Sequence, residues 1–201
     1  MIAIIDYDAG NIASVINALR VFGEEVLLTA DRDTLQRADR VVLPGVGAFG
    51  DAMQKIRDRS LEETIKAVVT SGTPFLGICL GMQLLFEASE ESPGVKGLGL
   101  LSGTIRRFSE DSGLKIPQIG WNELHFPRKT KLFQDVAEGA HVYFVHSYYL
   151  PQEGSEAVIA ATTDYGHVFG AAVEKDNLMA CQFHPEKSAD VGHQILKNFM
   201  I

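Results

Sequence analysis

The sequence predicts an α/β fold, with an open, mostly parallel sheet, helices on both faces and antiparallel strands added in the C-terminal half. The N-terminal half alternates short apolar runs with segments whose apolar residues recur at helical spacing, which is typical of βαβ units. After Ser92 the chain consists of short β-rich segments separated by turn residues, which favours antiparallel strands. The 201 residues are expected to form one domain, residues 1–201.

The first βαβ unit begins with the strand "IAIIDY" and ends with the strand "EEVLLTA". Between them, apolar residues at helical spacing are Ile12, Val15, Ile16, Leu19 and Phe22. The pattern repeats through "RVVLPG", a long helical region from about Phe49 to Val69, and the strand "PFLGIC". Strands this short and apolar are expected to be buried on both faces of a parallel sheet.

Six β-rich segments are predicted in the C-terminal half as antiparallel additions to the sheet. They are "GLLSGTIRRF", "IGWNELHF", "VYFVHSYYL", "SEAVIAATTDYG", "HVFGAAVEKDN" and "LMACQFHPE". The last thirteen residues predict a closing helix with Ser188 as its N-cap. Its apolar face comprises Val191, Ile195, Leu196, Phe199 and Met200.

Composition excludes several classes of function. The net charge of −8 argues against a general nucleic-acid binder and against a protein that binds anionic membranes. The N-terminus has no basic flank and the longest apolar stretch, Pro74 to Phe86, is shorter than the roughly 20 residues that span a bilayer. Cys79 and Cys181 are too few for a disulfide scaffold or a zinc site. We therefore expect a cytoplasmic protein with reduced thiols.

A lone cysteine lies between two glycines in Gly77-Ile78-Cys79-Leu80-Gly81. This is the form in which a strand ends in a sharp turn, the nucleophile lies at the tip, and a helix follows at once. Amides at a helix start favour a thiolate there. The alternative is that Cys79 is a small buried residue, as free cysteines usually are.

A partner for the thiol is found in "CQFHPEKS", where His184 and Glu186 follow an apolar run. Two side chains at i and i+2 on an extended segment point to the same side, and Pro185 favours an extended segment. Glu186 would then orient His184, which would exchange a proton with Cys79 in a Cys-His-Glu triad. The alternative is an ordinary turn at a strand end.

"GICLGMQ" together with "FHPEKS" resembles the class I, triad-type glutamine amidotransferases. With "PGVGAFG", "GWNEL" and "YFVHSYY", the chain is similar nearly end to end to the glutaminase subunits of imidazole glycerol phosphate synthase. The resemblance implies a flavodoxin-like fold and hydrolysis of L-glutamine through a thioester, without cofactor or metal. It also implies delivery of ammonia to a (β/α)8-barrel cyclase subunit in a heterodimer of histidine biosynthesis.

The resemblance also implies roles for residues around the thiol. The amides of Leu80 and Gly47 would stabilise the oxyanion. The substrate-binding residues would be Gly45, Gln83, Glu91, Ser147 and Tyr148. For Gln83 the alternative is a solvated helix position, and for the acidic run "EASEES" around Glu91 it is a solvated helix end.

Five residues are candidates for the partner interface, namely Asn11, Ser14, Trp121, Tyr143 and Lys187. Trp121 and Tyr143 could instead be core aromatics. The family commonly has His-Met before "GWN" where this chain has Gln118-Ile119, so coupling to the partner is expected to differ in detail. The other histidines show no metal-ligand spacing and are expected to be structural or at the surface; they are His125, His141, His146, His167 and His193.

Three other functions are alternatives when the sequence alone is considered. A glutaminase serving another synthase, for pyridoxal phosphate or anthranilate, would share the triad but differ around "PGVGAFG" and "GWN". A cysteine peptidase on the same fold would use a Cys-His pair without the context of Gln83 and Glu186. A non-catalytic binding module would have no need of the triad residues.

Overall fold

The computed structural model describes residues 1–10, 12–110 and 113–201. Its elements are β1 (Ile2–Ile5), α1 (Ala13–Arg20), β2 (Val26–Thr29), α2 (Arg32–Arg37), β3 (Arg40–Leu43), α3 (Phe49–Asp58), α4 (Glu62–Thr70), β4 (Phe75–Ile78), α5 (Leu80–Leu84), β5 (Ala88–Ser89), β6 (Thr104–Arg107), β7 (Gln118–Glu123), β8 (His141–His146), β9 (Tyr148–Pro151), β10 (Ile159–Asp164), β11 (Val168–Lys175), β12 (Leu178–Cys181), a 3₁₀ turn (Pro185–Lys187) and α6 (Ala189–Met200).

The main sheet has the strand order β2-β1-β3-β4-β12-β11-β9-β6-β5, and β10 pairs with β11. Strands β2, β1, β3, β4 and β12 are mutually parallel, whereas β11 is antiparallel to β12, β9 and β10. The expectation that "IGWNELHF" adds a strand to this sheet is wrong, because its strand β7 pairs with β8 in a separate two-stranded antiparallel ribbon. The prediction of a mostly parallel sheet with antiparallel strands added in the C-terminal half is confirmed.

Helices cover both faces of the parallel strands. In β1, Ile2 and Ile4 belong to the apolar cluster that contains residues of α1 and α6. Ala3 and Ile5 belong to the opposite cluster, with residues of α2, α3 and α4. Alternate side chains of a strand point to opposite faces, so every residue of β1 is buried. This explains why the strand is continuously apolar.

Two further expectations from the sequence are wrong in detail. The helical region from 49 to 69 is interrupted, because Ser60 has a left-handed backbone with φ 55° between α3 and α4. The segment "LMACQFHPE" was expected among the antiparallel additions, but its strand β12 is parallel to β4, with Cys181 paired to Ile78. This placement brings the end of β12 beside the end of β4.

Among the described residues, no helix combines the length and the apolar content that crossing a bilayer requires.

Candidate active site

Cys79 lies at the turn between β4 and α5 with φ 54° and ψ −113°, a conformation that residues with a side chain rarely adopt. A Cβ at Gly77 would come within 3.0 Å of the backbone oxygen of Gly81, and a Cβ at Gly81 would overlap the carbonyl of Leu43 on β3. Both glycines are therefore needed for α5 to pack this closely against β3 and β4. The tight packing holds the strained cysteine at the tip.

His184 follows β12, with φ −100° and ψ 96°, and Pro185 begins the 3₁₀ turn. The chain thus curves between His184 and Glu186, where the sequence predicted an extended segment. The two side chains nevertheless meet, with His184 Nδ1 2.7 Å from Glu186 Oε1. Both side chains are almost completely buried.

Backbone contacts with β8 hold this turn in place. The His184 amide donates to the carbonyl of Tyr143 at 2.9 Å, and the Tyr143 amide donates to Ser188 Oγ at 3.0 Å. Ser188 Oγ in turn donates to the His184 carbonyl at 2.6 Å. Ser188 is the N-cap residue of α6, as predicted, but its side chain makes no capping bond and ties His184 to β8 instead.

The electrostatics of the pair favour a charged imidazole. Burial lowers the pKa of His184, but its interactions with Cys79 and Glu186 outweigh burial and raise the pKa to about 9. His184 Nε2 and Glu186 Oε2 are buried without a hydrogen-bond partner among the described residues. Because Glu186 holds Nδ1, Nε2 is the nitrogen that remains for proton exchange.

Cys79 and His184 line one cavity of about 310 Å³. Of the other residues predicted for the site, the cavity is lined by Gly47, Leu80, Gln83, Glu91, Ser147 and Tyr148. Its wall also contains residues that the sequence did not indicate, namely Val46, Pro117, Val145 and His146. The cavity therefore joins the ends of β4 and β12 to the loop after β3 and the end of β8.

Gly45, which was expected to contact substrate, is not part of this wall and is buried. A Cβ at Gly45 would come within 2.8 Å of the Gly81 amide nitrogen and of the Tyr7 hydroxyl oxygen, and within 2.9 Å of Leu80 Cβ. Gly45 thus allows the loop after β3 to pass directly behind the cysteine turn. Its expected contact with substrate stays a prediction beside this packing role.

Gln83 is 4% exposed, so the alternative of a solvated helix position is wrong. Its Nε2 donates to Gln182 Oε1 at 2.8 Å and to the Tyr148 carbonyl at 3.2 Å. Gln182 is fully buried, and its Nε2 lies 3.8 Å from Cys79 Sγ. A glutamine at the end of a buried apolar strand must find hydrogen-bond partners. Its position in "CQFHPEKS" is therefore the sequence signal that could have identified Gln182 as part of the site.

Glu91 is half-buried rather than solvated, and its Oε2 accepts from the Phe49 amide at the start of α3 at 2.7 Å. Burial raises the pKa of Glu91, against the effect of that hydrogen bond. Since the side chain also lines the cavity, it combines capping of α3 with a negative charge at the cavity wall.

Ser147 and Tyr148 form the connection from β8 to β9, and His146 immediately precedes them. His146 Nδ1 lies 2.7 Å from the Tyr148 carbonyl, and Nε2 lies 2.8 Å from the side-chain amide of Gln118. Burial lowers the pKa of His146 to about 4, so the ring is neutral and carries one N–H. The carbonyl takes that N–H, so Nε2 is an acceptor, and the Gln118 amide, whose Oε1 is the atom placed at Nε2, must be turned to present its amino group there.

Of the residues predicted for a partner interface, three form a cluster in which Trp121 and Lys187 are exposed and Tyr143 is partly buried. The Trp121 ring is 6.1 Å from the Tyr143 ring across the β7–β8 ribbon, and Lys187 Nζ lies 6.0 Å from the centre of the Tyr143 ring. Trp121 is 53% exposed, so it is not a core aromatic. Ser14 is partly exposed on α1, which packs near the 3₁₀ turn, and Asn11 lies outside the described residues.

Comparisons with known proteins agree on one family. The sequence model of the family described as glutamine amidotransferase class-I matches residues 3–201. A protein named imidazole glycerol phosphate synthase subunit HisH from Gloeobacter violaceus is 50% identical over 200 residues, which cover 99% of this chain and 88% of that protein. A protein of the same name from Methanothermobacter thermautotrophicus is also 50% identical, with 100% of this chain and 98% of that protein covered.

Among solved structures, a protein described as a glutamine amidotransferase gives a TM-score of 0.75 at 19% identity, with 99% of each chain covered. The glutaminase domain of Trypanosoma brucei CTPS with bound acivicin gives 0.72 at 19% identity, with 99% of this chain and 91% of that domain covered. At these identities the likeness concerns the fold.

Proposed function

Because the chain belongs to the class I glutamine amidotransferase family, we propose that it is the glutaminase subunit of imidazole glycerol phosphate synthase in histidine biosynthesis. It hydrolyses L-glutamine to glutamate and ammonia. The observation that carries this function is the buried pair of His184 and Glu186, which leaves His184 Nε2 free in the cavity that contains Cys79. This pairing matches the needs of nucleophilic attack followed by protonation of a leaving amine.

In the first half of the reaction, His184 Nε2 takes the proton of the Cys79 thiol, the sulfur attacks the side-chain amide carbon of glutamine to form a C–S bond, and the electron pair of the C=O double bond moves to oxygen. His184 then gives the proton on Nε2 to the amide nitrogen as the C–N bond breaks, so ammonia leaves. A γ-glutamyl thioester remains on Cys79. Glu186 holds His184 in position and stabilises its charged form, as its effect on the pKa of His184 indicates.

In the second half, His184 removes a proton from a water molecule as the water oxygen bonds to the thioester carbon. The C–S bond breaks, its electron pair returns to sulfur, and glutamate is released. For the oxyanion in both halves, we assign the amides of Leu80 and Gly47. Each such donor contributes on the order of 10²- to 10³-fold in turnover.

For substrate binding, we assign Glu91, Ser147 and Tyr148 in the cavity wall. Glu91 would face the ammonium group of glutamine, and the backbone at Ser147 and Tyr148 would hold its carboxylate. The side-chain amide of Gln83 donates to the Tyr148 carbonyl. Gln83 thereby helps to hold the backbone that we assign to the substrate carboxylate. A carboxylate for the ammonium group and backbone donors for the carboxylate would select a free amino acid over a peptide.

The ammonia requires an acceptor, since free ammonia is protonated or lost in water. We assign the cluster of Trp121, Tyr143 and Lys187, with Ser14 nearby, to the surface that contacts a cyclase subunit. Asn11, next to this region in sequence, is assigned to the same surface from the sequence alone. The working unit would be a heterodimer of this single-domain chain with the cyclase, located in the cytoplasm, where the thiol of Cys79 stays reduced.

The test is glutamate release from glutamine by the chain alone, with the cyclase, and with the cyclase and its nucleotide substrate. A faster release of glutamate in the presence of the cyclase and its nucleotide substrate supports the assignment. Equal rates in all three conditions would contradict the coupling to a cyclase. Cleavage of a peptide library without hydrolysis of glutamine would instead identify a peptidase.

A further inference from the structure

A chain of buried amides connects the cavity wall to Cys79, and the mechanism above leaves it without a chemical role. It runs from the Tyr148 carbonyl through Gln83 to Gln182, whose Nε2 lies 3.8 Å from Cys79 Sγ. Gln182 is fully buried, and Gln83 is 4% exposed. Burying two side-chain amides is unfavourable unless each is hydrogen-bonded, so the chain must be ordered.

The direction of both amides follows from one backbone atom. A side-chain amide has a donor end and an acceptor end of similar shape, and its neighbours decide which way it points. The Tyr148 carbonyl can only accept, so the amino group of Gln83 must face it. The second hydrogen of that amino group meets Gln182 Oε1. The amino group of Gln182 is then the end that faces the Cys79 sulfur.

We propose that Gln182 is a further catalytic residue that donates a hydrogen bond to the Cys79 sulfur, and that Gln83 is the positioning residue that fixes the direction of this donor. The inference rests on the proposed role of Cys79 as the nucleophile. A charged acceptor strengthens a hydrogen bond, so the Gln182 donor favours the thiolate over the thiol.

The backbone carbonyl of Val145, which also lies near the sulfur, favours the thiol over the thiolate. The Val145 carbonyl lies 3.9 Å from Cys79 Sγ and can accept only from the protonated thiol. Without the Gln182 donor, this carbonyl would oppose the support that the charged His184 ring gives to the thiolate. With that donor, the thiolate is supported twice in the cycle: before attack on glutamine, and when the C–S bond of the thioester breaks and its electron pair returns to sulfur.

Several titratable groups lie near the sulfur or line its cavity, and the substitutions used in a test must leave them unchanged. They are His184 and Glu186 at the 3₁₀ turn, Cys181 on β12, Tyr7 after β1, and His146 and Glu91 in the cavity wall. Substitutions at Gln182 and Gln83 leave all of them in place. A change in the pH dependence of the thiol can then be assigned to the amide chain.

The experiment measures the rate at which iodoacetamide alkylates Cys79 as a function of pH, with the modified peptide identified by mass spectrometry. Gln182→Met keeps the approximate size of the side chain and removes the donor. Gln182→Glu keeps an acceptor for Gln83 and places a carboxylate oxygen at the sulfur. Both should move the midpoint of the pH–rate profile upward by about one pH unit or more, since hydrogen bonds to charged groups are worth this much. Gln152→Glu, at an exposed turn, is the charge control and should leave the midpoint in place.

Gln83→Leu tests the orientation argument separately, because it frees Gln182 to rotate and should move the midpoint upward by less than Gln182→Met does. Folded Gln182 variants with an unmoved midpoint would overturn the inference. If those variants do not fold, Gln83→Leu decides, and an unmoved midpoint there overturns it. If alkylated wild-type protein still hydrolyses glutamine, the proposed function fails instead.

Discussion

Two buried histidines line the same cavity, and their environments give them opposite proton affinities. Burial lowers the pKa of both. For His184, at the 3₁₀ turn after β12, Cys79 and Glu186 outweigh burial and raise the pKa to about 9. For His146, at the end of β8, burial prevails and lowers the pKa to about 4. The charge state of a buried histidine therefore depends on whether its partners can themselves carry negative charge.

The partners of the two rings account for the difference. His184 has a carboxylate 2.7 Å from Nδ1, whereas His146 has a backbone carbonyl and an amide. Aromatic rings surround His146, with the centres of Phe108, Phe144 and Phe169 all within 5.5 Å of its own. One region is built to hold and release a proton. The other fixes the backbone that we assign to the carboxylate of glutamine.

The largest effect should come from removing the sulfur partner of His184. Cys79→Ala should lower glutamine-dependent synthesis by the complex at least about 10⁴-fold, because no thioester can form. Synthesis from added ammonium salt should remain, since the acceptor chemistry belongs to the cyclase. Cys181→Ala is the matched control, because Cys181 is buried in the core, and it should retain glutamine-dependent synthesis. Loss of the ammonium-dependent reaction in Cys79→Ala would assign Cys79 a different role.

Glu186→Gln removes the carboxylate partner and makes the surroundings of His184 resemble those of His146. The pKa of His184 should fall, and turnover of glutamine should decrease by about 10²- to 10⁴-fold, as for orienting carboxylates in other triads. The measurements are kcat and an NMR titration of the histidine rings. An unchanged pKa of His184 would show that Glu186 does not set its charge.

The two histidines should make the free energy of unfolding depend on pH in opposite directions, with an alkaline arm due to His184 and an acid arm due to His146. The folded-state pKa of His184 is raised, so its contribution is complete below the unfolded pKa of about 6.5 and is lost as pH rises toward 9. The folded-state pKa of His146 is lowered, so its contribution is complete above about 6.5 and is lost as pH falls toward 4. Urea unfolding across this range should show stability falling in both directions. His184→Ala should flatten the alkaline arm and leave most of the acid arm, because burial is the main cause of the lowered His146 pKa and the charge of His184 is a smaller one.

A smaller effect is expected from giving His146 a carboxylate partner like that of His184, which should raise the pKa of His146. Gln118→Glu places a carboxylate beside His146 Nε2 and should raise the pKa of His146 by about two units or more, as seen by NMR. Gln118→Met is the control that removes the amide without adding charge. It leaves Nε2 unpaired and should lower the free energy of unfolding by about 1 to 3 kcal/mol. A rise of the His146 pKa in both variants would contradict the role of the partner's charge.

Local patterns in the sequence were enough for much of the fold and for the placement of the triad residues. Short apolar runs and helical spacing predicted the parallel strands and both layers of helices, since these elements depend on nearby residues. The glycines around Cys79 predicted the tight turn for the same reason. Two failures were long-range, the parallel pairing of β12 with β4 and the separate ribbon of β7 with β8, and two were local: the break at Ser60 between α3 and α4, and the 3₁₀ turn at Pro185 where an extended segment was expected.

The amide chain and the role of His146 could not be predicted from local pattern at all. Gln83 and Gln182 are 99 residues apart in sequence, and His146 and Gln118 are 28 apart. Partners at such distances meet only once the sheet order is fixed. The polar residues themselves were visible in buried segments, but their partners were not.

The most direct test of the account is to stop the reaction with acid during turnover and look for the covalent intermediate. A γ-glutamyl adduct should be found by mass spectrometry on the peptide that contains Cys79, and it should be absent from Cys79→Ala. Glutamate release without this adduct, or an adduct on Cys181 or another residue, would contradict the assignment of Cys79 as the nucleophile.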